Sequence, residues 1–268
     1  MNARRGFFMP ENGRLNYQAR LIFGKYHYLI IRSDSEPSEK AVLFFFGGGM
    51  ILGCDKGDVK VAGRLAEESG CDVWFAFYPI CTENCIAETY RMGYECYRQM
   101  IEVYGAGNVS TAGFSSGGAL AIGIALYNNT KEPKLPMPRH IIAVSPGEVP
   151  VNEEEAEQMR SHNAEDPMVD FAFMQRVRNF MIHGNNNIPE FMVSGSLGDY
   201  SGIPEITFFY SSDEVVYGAK ENFAAAREKY NVSYKVYERP GMIHCYPFLP
   251  YFPEAKEDFN KIADILSK

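Results

Sequence analysis

The stretch Asn108–Asn128 decides the reading of this chain. It runs as NVSTA (Asn108–Ala112), then Gly113-Phe114-Ser115-Ser116-Gly117, then GALAIGIALYN (Gly118–Asn128). NVSTA reads as a short strand, and the small and aliphatic residues after Gly117 suit a tightly packed helix. The Gly-x-Ser-x-Gly pattern between them predicts a sharp strand-to-helix turn with Ser115 at its tip. A residue at such a tip is held in strained backbone, and a Cβ at Gly113 or Gly117 would collide with neighbouring backbone. The turn pushes the Ser115 hydroxyl clear of the sheet and points the Ser116 amide toward the helix start. The pattern alone arises often by chance; its flanks give it weight.

Working outward, short apolar runs alternate with segments of helical period. Strands are expected over Tyr26–Arg32, Ala41–Phe46, Asp72–Tyr78, His140–Ser145, Glu205–Tyr210 and Ser233–Glu238. Helices are expected over Asp55–Ser69, Glu83–Tyr104, Ser116–Asn128, Glu214–Tyr230 and Pro253–Ser267. This alternation implies parallel βαβ units, so the class is α/β, with a mostly parallel central sheet and helices on both faces. One stretch, residues 146–204, breaks the rhythm. So long a segment between two sheet strands sits at a sheet end or over it, and it is expected to be a lid-like insertion. Residues 1–25 are expected to form a short N-terminal cap.

A serine hydroxyl needs a base to act as a nucleophile at neutral pH. Of five histidines, His27 and His140 belong to strands, and nothing fixes His162 or His183 near a site. His244 lies in Pro240-Gly241-Met242-Ile243-His244-Cys245-Tyr246, a loop leaving the last strand, and such loops converge at the carboxyl ends of parallel strands. An acid to orient the histidine is expected between serine and histidine in chain order. Asp213 follows the strand EITFFY in Ser211-Ser212-Asp213-Glu214, with Glu214 as the local competitor; Asp213 could equally be a helix N-cap. Gly47-Gly48-Gly49 ends the strand AVLFFF. Three glycines let backbone N–H groups turn inward, which suits an oxyanion hole; a flexible turn or a phosphate-cradling loop is the alternative, although neither phosphate-loop spacing fits.

Together these landmarks resemble the α/β-hydrolase superfamily, in particular the esterases and lipases similar to hormone-sensitive lipase. The resemblance runs from about Tyr26 to the end, and Asn163-Ala164-Glu165-Asp166-Pro167 looks like part of that family's lid insertion. It implies Ser115 as nucleophile, Asp213 as acid and His244 as base, with the amides of Gly48, Gly49 and Ser116 as oxyanion donors. Phe46 stands where the family usually has the histidine of its His-Gly-Gly-Gly loop, and Phe114 replaces an acidic residue before the serine. Tyr-Arg-Leu-Ala-Pro-Glu survives only as Tyr78-Pro79-Ile80-Cys81-Thr82-Glu83.

Composition sets the outer limits. The 268 residues carry 26 basic and 34 acidic side chains, a formal charge of −8 without a basic stripe, so a nucleic-acid partner is not expected. Six cysteines lack CxxC spacing and are expected to be free thiols in a cytoplasmic protein. The start, MNARRGFFMP, reaches Pro10 and Glu11 before any apolar run of signal length, and the longest apolar stretch, Ala41–Gly53, is too short for a membrane span. No metal or cofactor is expected, and the oligomeric state is not readable. The expected activity is hydrolysis of small carboxylic esters through an acyl-enzyme. An amidase, peptidase or thioesterase with the same triad, or a ligand-binding protein on the same fold, is the alternative. Aromatic residues at Phe7, Phe8, Phe171, Phe173 and Phe180 are candidates for an acyl pocket wall.

Overall fold

Ala41–Phe45 are five apolar residues in a row, and they form a strand buried along its whole length, β3. Such a run suits a strand covered on both faces, because alternate side chains point to opposite sides of the sheet. Phe44 packs against Phe248, which meets Phe259 of the last helix (ring centroids 5.7 Å in each pair). Phe45 points the other way, toward Gly93 and Ile124 of two other helices, where a Cβ on Gly93 would lie 3.2 Å from its ring. The computed structural model describes residues 6–11, 13–249 and 251–268.

Around β3 the strands are β1 (Asn16–Ile22), β2 (Tyr26–Arg32), β4 (Asp72–Ala76), β5 (Val109–Phe114), β6 (Ile141–Val144), β7 (Ile206–Ser211) and β8 (Tyr234–Arg239). They make one eight-stranded sheet in the order β1-β2-β4-β3-β5-β6-β7-β8. The first two strands enter antiparallel and the rest are parallel. The helices are α1 (Lys56–Ser69), α2 (Ile86–Tyr104), α3 (Ser116–Asn129), α4 (Glu153–Ser161), α5 (Phe171–Ile182), α6 (Lys220–Lys229) and α7 (Pro253–Ser267). α1 packs with α7, and α2 with α3. Asp55 caps α1 by accepting from the Gly57 and Asp58 amides, and Gly70 closes it with φ 67°, a left-handed conformation natural to glycine. α3 is buried almost all round, as its small and aliphatic residues require.

Two expectations change. Residues 16–22 form β1, an edge strand with an exposed face, so they belong to the sheet and not to an N-terminal cap; residues 1–5 and 12 of that cap lie outside the described residues. The helix expected from Glu214 begins as a 3-10 turn, Val215–Ala219, and becomes α6 at Lys220. α4 presses on this turn so closely that a Cβ on Gly218 would lie 2.5 Å from the Met159 amide nitrogen. The segment 146–204 folds as α4, α5 and two 3-10 turns. Among the described residues no disulfide joins any of the six cysteines.

Candidate active site

Ser115 stands between β5 and α3 with φ 52° and ψ −128°, strained backbone for a residue with a side chain. The strain is held from all sides. Its amide donates to the Val144 carbonyl (2.9 Å), and its carbonyl accepts from Gly118 (2.9 Å) and Gly147 (3.2 Å). Gly113 and Gly117 are there because nothing larger fits: a Cβ on Gly113 would lie 2.3 Å from the Gly117 oxygen, and one on Gly117 2.2 Å from the Phe45 oxygen. β3 and the first turn of α3 therefore touch backbone to backbone.

The glycine loop sits beside the serine. A Cβ on Gly47 would come within 3.1 Å of Ser115 Cβ. Gly48 and Gly49 take φ of 119° and 60°, and the Gly48 carbonyl turns away to accept from Ile51 and Leu52. No backbone carbonyl among the described residues takes the Gly48 or Gly49 amide. Phe46 explains how the loop is held without the family histidine. Its ring stacks on Tyr78 at 4.1 Å, and the Tyr78 hydroxyl donates to the Phe46 carbonyl at 2.8 Å.

His244 is 5% exposed. Its Nδ1 lies 2.6 Å from Glu214 Oε2, while its Nε2 is buried without a hydrogen-bond partner. The carboxylate on the histidine is thus that of Glu214, and Asp213, the expected partner, is not brought to it. Asp213 accepts from the Gly241 amide (2.7 Å) and the Ser212 hydroxyl (3.0 Å), and it caps no helix. The loops after β7 and β8 are stitched together three times: Ser211 Oγ to the Met242 carbonyl, Gly241 to Asp213, and Glu214 to His244. Neighbouring residues share the work, one fixing the histidine loop and the other the histidine.

Burial pushes the Glu214 carboxyl up, and His244 pulls it back down. Burial likewise opposes a charge on His244, but Cys245 and Glu214 beside it outweigh that and hold the imidazole well above its ordinary value of 6.5.

Two supporting contacts were not legible in the sequence. Asp166 accepts from Met168 and Val169 through Oδ1 and from Val215 through Oδ2 (2.9 Å), tying the segment 146–204 to the residue after Glu214. Ser145, also left-handed with φ 45°, accepts from the Cys245 amide (3.1 Å), and its hydroxyl bears on the Glu214 carboxylate. No local pattern marks Ser145, and the Asn163–Pro167 segment marks Asp166 without indicating its contact with Val215.

Ser115, Ser116, Gly48, Gly49 and His244 line one cavity of about 970 Å³. The insertion contributes an apolar wall that includes Met168, Val169, Phe173, Met174 and Val177. Phe173 covers the glycine loop so closely that a Cβ on Gly49 would lie 2.3 Å from its ring. Of the aromatic candidates only Phe173 lines this cavity. Phe7 stacks on His27 at 3.9 Å, Phe8 packs edge-on to Phe77, Arg160 lies over Phe171, and Phe180 is exposed. His140 lies at the start of β6, His162 meets Tyr217, and His183 meets the Cys81 carbonyl. Among the described residues no group of three His, Cys, Asp or Glu is set to hold a metal, and no helix is long and apolar enough to cross a membrane.

This mostly parallel α/β fold has counterparts among known proteins. Residues 42–248 match the family described as the alpha/beta hydrolase fold. The chain belongs to that family. As an α/β hydrolase it is 23% identical over 219 residues to an acetyl-hydrolase of Streptomyces hygroscopicus, covering 81% of this chain and 72% of that protein. Its fold is also that of a hormone-sensitive lipase from a metagenome library, with TM-score 0.82 and 22% identity over 96% of this chain and 85% of the other. An esterase from the bacterial hormone-sensitive lipase family superposes with TM-score 0.85 at 19% identity, over 97% of this chain and 86% of that one.

Proposed function

We propose that this hydrolase cleaves small, uncharged carboxylic esters, with Ser115 as nucleophile, His244 as base and Glu214 as the acid. The observation that carries the reading is the buried Glu214–His244 pair: His244 Nε2 has no hydrogen-bond partner, and His244 and Ser115 line the same cavity. The acetyl-hydrolase relative points to the same class of reaction.

In this mechanism His244 Nε2 takes the Ser115 proton as the oxygen attacks the ester carbonyl. Glu214 on Nδ1 keeps the other nitrogen facing the serine and steadies the imidazolium. The amides of Gly48, Gly49 and Ser116 receive the developing oxyanion, at ~3 kcal/mol for each well-aimed donor. Collapse expels the alcohol, which takes the proton from His244. Water then repeats the sequence on the acyl-enzyme and regenerates Ser115. The insertion, with its apolar wall, acts as the lid over the acyl group.

A fluorophosphonate should label Ser115 one-to-one, and the protein should hydrolyse p-nitrophenyl acetate. Absence of both would leave a ligand-binding role on the same fold. Arylamides turned over faster than esters would move the assignment to an amidase.

The pH dependence follows from His244. The base works when neutral, so kcat/KM should fall as pH drops through a value above 6.5, because its neighbours favour the protonated form. Glu214→Gln removes one of those neighbours and should move the acid limb to lower pH. An unmoved limb would detach the limb from the His244–Glu214 pair.

A further inference from the structure

Two other carboxyls are buried beside the cavity. Glu148, in the loop after β6, is 2% exposed and lines the cavity wall; Glu155, on α4 of the insertion, is also 2% exposed. Their hydrogen bonds leave a specific remainder. Glu148 Oε2 accepts from the Ser196 amide at 2.9 Å. Glu155 Oε2 accepts from the Val151 amide (2.8 Å) and from Asn222 Nδ2 of α6 (2.7 Å). The remaining oxygen of each, Oε1, is buried and has no donor among the described residues. Two buried acceptors without donors, on carboxyls that bear on each other, are both satisfied by one added proton.

We infer that Glu148 and Glu155 share one proton between their Oε1 atoms, and that this bond fastens α4 of the insertion to the cavity wall along which an acyl chain lies. The acyl clause rests on the ester-hydrolase reading above; the shared proton does not.

The surroundings agree. Burial raises both carboxyls above the ordinary 4.5 and the nearby Glu155 raises Glu148 further, outweighing Ser196 beside Glu148 and Val151, Glu148 and Asn222 beside Glu155, which favour the charged forms. The titratable groups facing Glu148 are Tyr90 of α2, Tyr200, and Tyr210 of β7, with Arg227 of α6 bearing on the last two. The bond also sits where it can affect the reaction. α4 packs on the turn Val215–Ala219 directly after Glu214, and the Ser194 hydroxyl donates to the Val149 carbonyl at 2.6 Å. A carboxyl whose folded pKa is raised weakens the fold as pH climbs from 4.5 through the raised value, because the folded state then holds the proton that the unfolded chain has lost.

Infrared spectroscopy reads the proton directly. At pH 7 the wild-type protein should show the carbonyl stretch of a protonated carboxyl, and Glu148→Gln should lack it. Glutamine keeps a donor and an acceptor at the site, so the melting temperature of Glu148→Gln should match wild type near pH 5 and exceed it by roughly 2–4 °C at the alkaline end. With p-nitrophenyl hexanoate, Glu148→Leu should raise KM about tenfold, more than it lowers kcat, and Glu148→Gln should restore it. Glu155→Gln serves if the leucine variant does not fold. An unchanged infrared spectrum in Glu148→Gln overturns the shared proton. An unchanged KM in Glu148→Leu overturns its link to the acyl wall. A wild-type protein that hydrolyses no ester but shows the band would overturn the ester reading and leave the shared proton standing.

Discussion

Ser115→Ala is expected to lower kcat for p-nitrophenyl acetate by about 10⁶, and Glu214→Gln by about 10⁴, while Asp213→Asn stays within about threefold of wild type. The serine variant loses the bond-forming atom. The glutamine that replaces Glu214 keeps the size of the side chain but loses the charge that steadies the imidazolium. Its amide can also turn a donor toward Nδ1, favouring the wrong tautomer. The asparagine that replaces Asp213 still offers an oxygen to the Gly241 amide, the bond that Asp213 makes at 2.7 Å. Steady-state kinetics on the three variants, with fluorophosphonate labelling as a second reading, checks the ranking. Equal losses from Asp213→Asn and Glu214→Gln would show that the two carboxylates act as one unit, and a larger loss from Asp213→Asn would return the acid role to Asp213. Combining Ser115→Ala with Glu214→Gln should cost little beyond Ser115→Ala alone, since both act on one proton transfer.

Gly117→Ala is expected to destabilise the fold by about 3 kcal/mol or more, lowering the melting temperature by roughly 6–12 °C. An alanine is ordinarily favourable in a helix, by up to ~1 kcal/mol over glycine. Here the new Cβ would lie 2.2 Å from the Phe45 oxygen and 2.3 Å from the Phe46 oxygen. Both obstacles are backbone of β3 and the glycine loop, so neither can swing aside as a side chain could. Any relaxation also moves Gly47–Gly49 away from Ser115, so activity should fall further than stability alone explains. Gly107→Ala is the control: its Cβ has open space, and the melting temperature should hardly move. Equal behaviour of the two variants in calorimetry would contradict the backbone contact described.

Much of this was legible because it is local. The continuous apolar run gives β3, one residue shorter than read, and the Gly-x-Ser-x-Gly pattern gives the turn between β5 and α3 as read. β1 escaped although Asn16–Leu21 alternate polar and apolar side chains as a strand does: the run is short, and at the sheet edge neither face is fully buried, with Leu21 48% exposed. The start of α6 was misplaced because the residues after Glu214 are helix-compatible in isolation. Only the press of α4 on Gly218, from a segment far earlier in the chain, accompanies their tighter 3-10 winding.

The acid shows the division most clearly. Asp213 and Glu214 are adjacent, both follow β7, and both have the right chemistry, so the sequence narrows the choice to two residues and cannot go further. Both lie in the turn after β7, where no strand or helix period says which way each side chain points. Which one meets His244 depends on the β8 loop, where Gly241 takes one carboxylate and His244 the other. The sequence by itself determined the serine turn, the histidine loop and the glycine turn, because each follows directly on an apolar strand and is marked by its own glycines or histidine within a few residues. Tertiary structure alone decided Glu214 over Asp213, the clamps by Asp166 and Ser145, and the burial of Glu148 against Glu155. Each of these depends on chain segments that are distant in sequence and meet only when the sheet has formed.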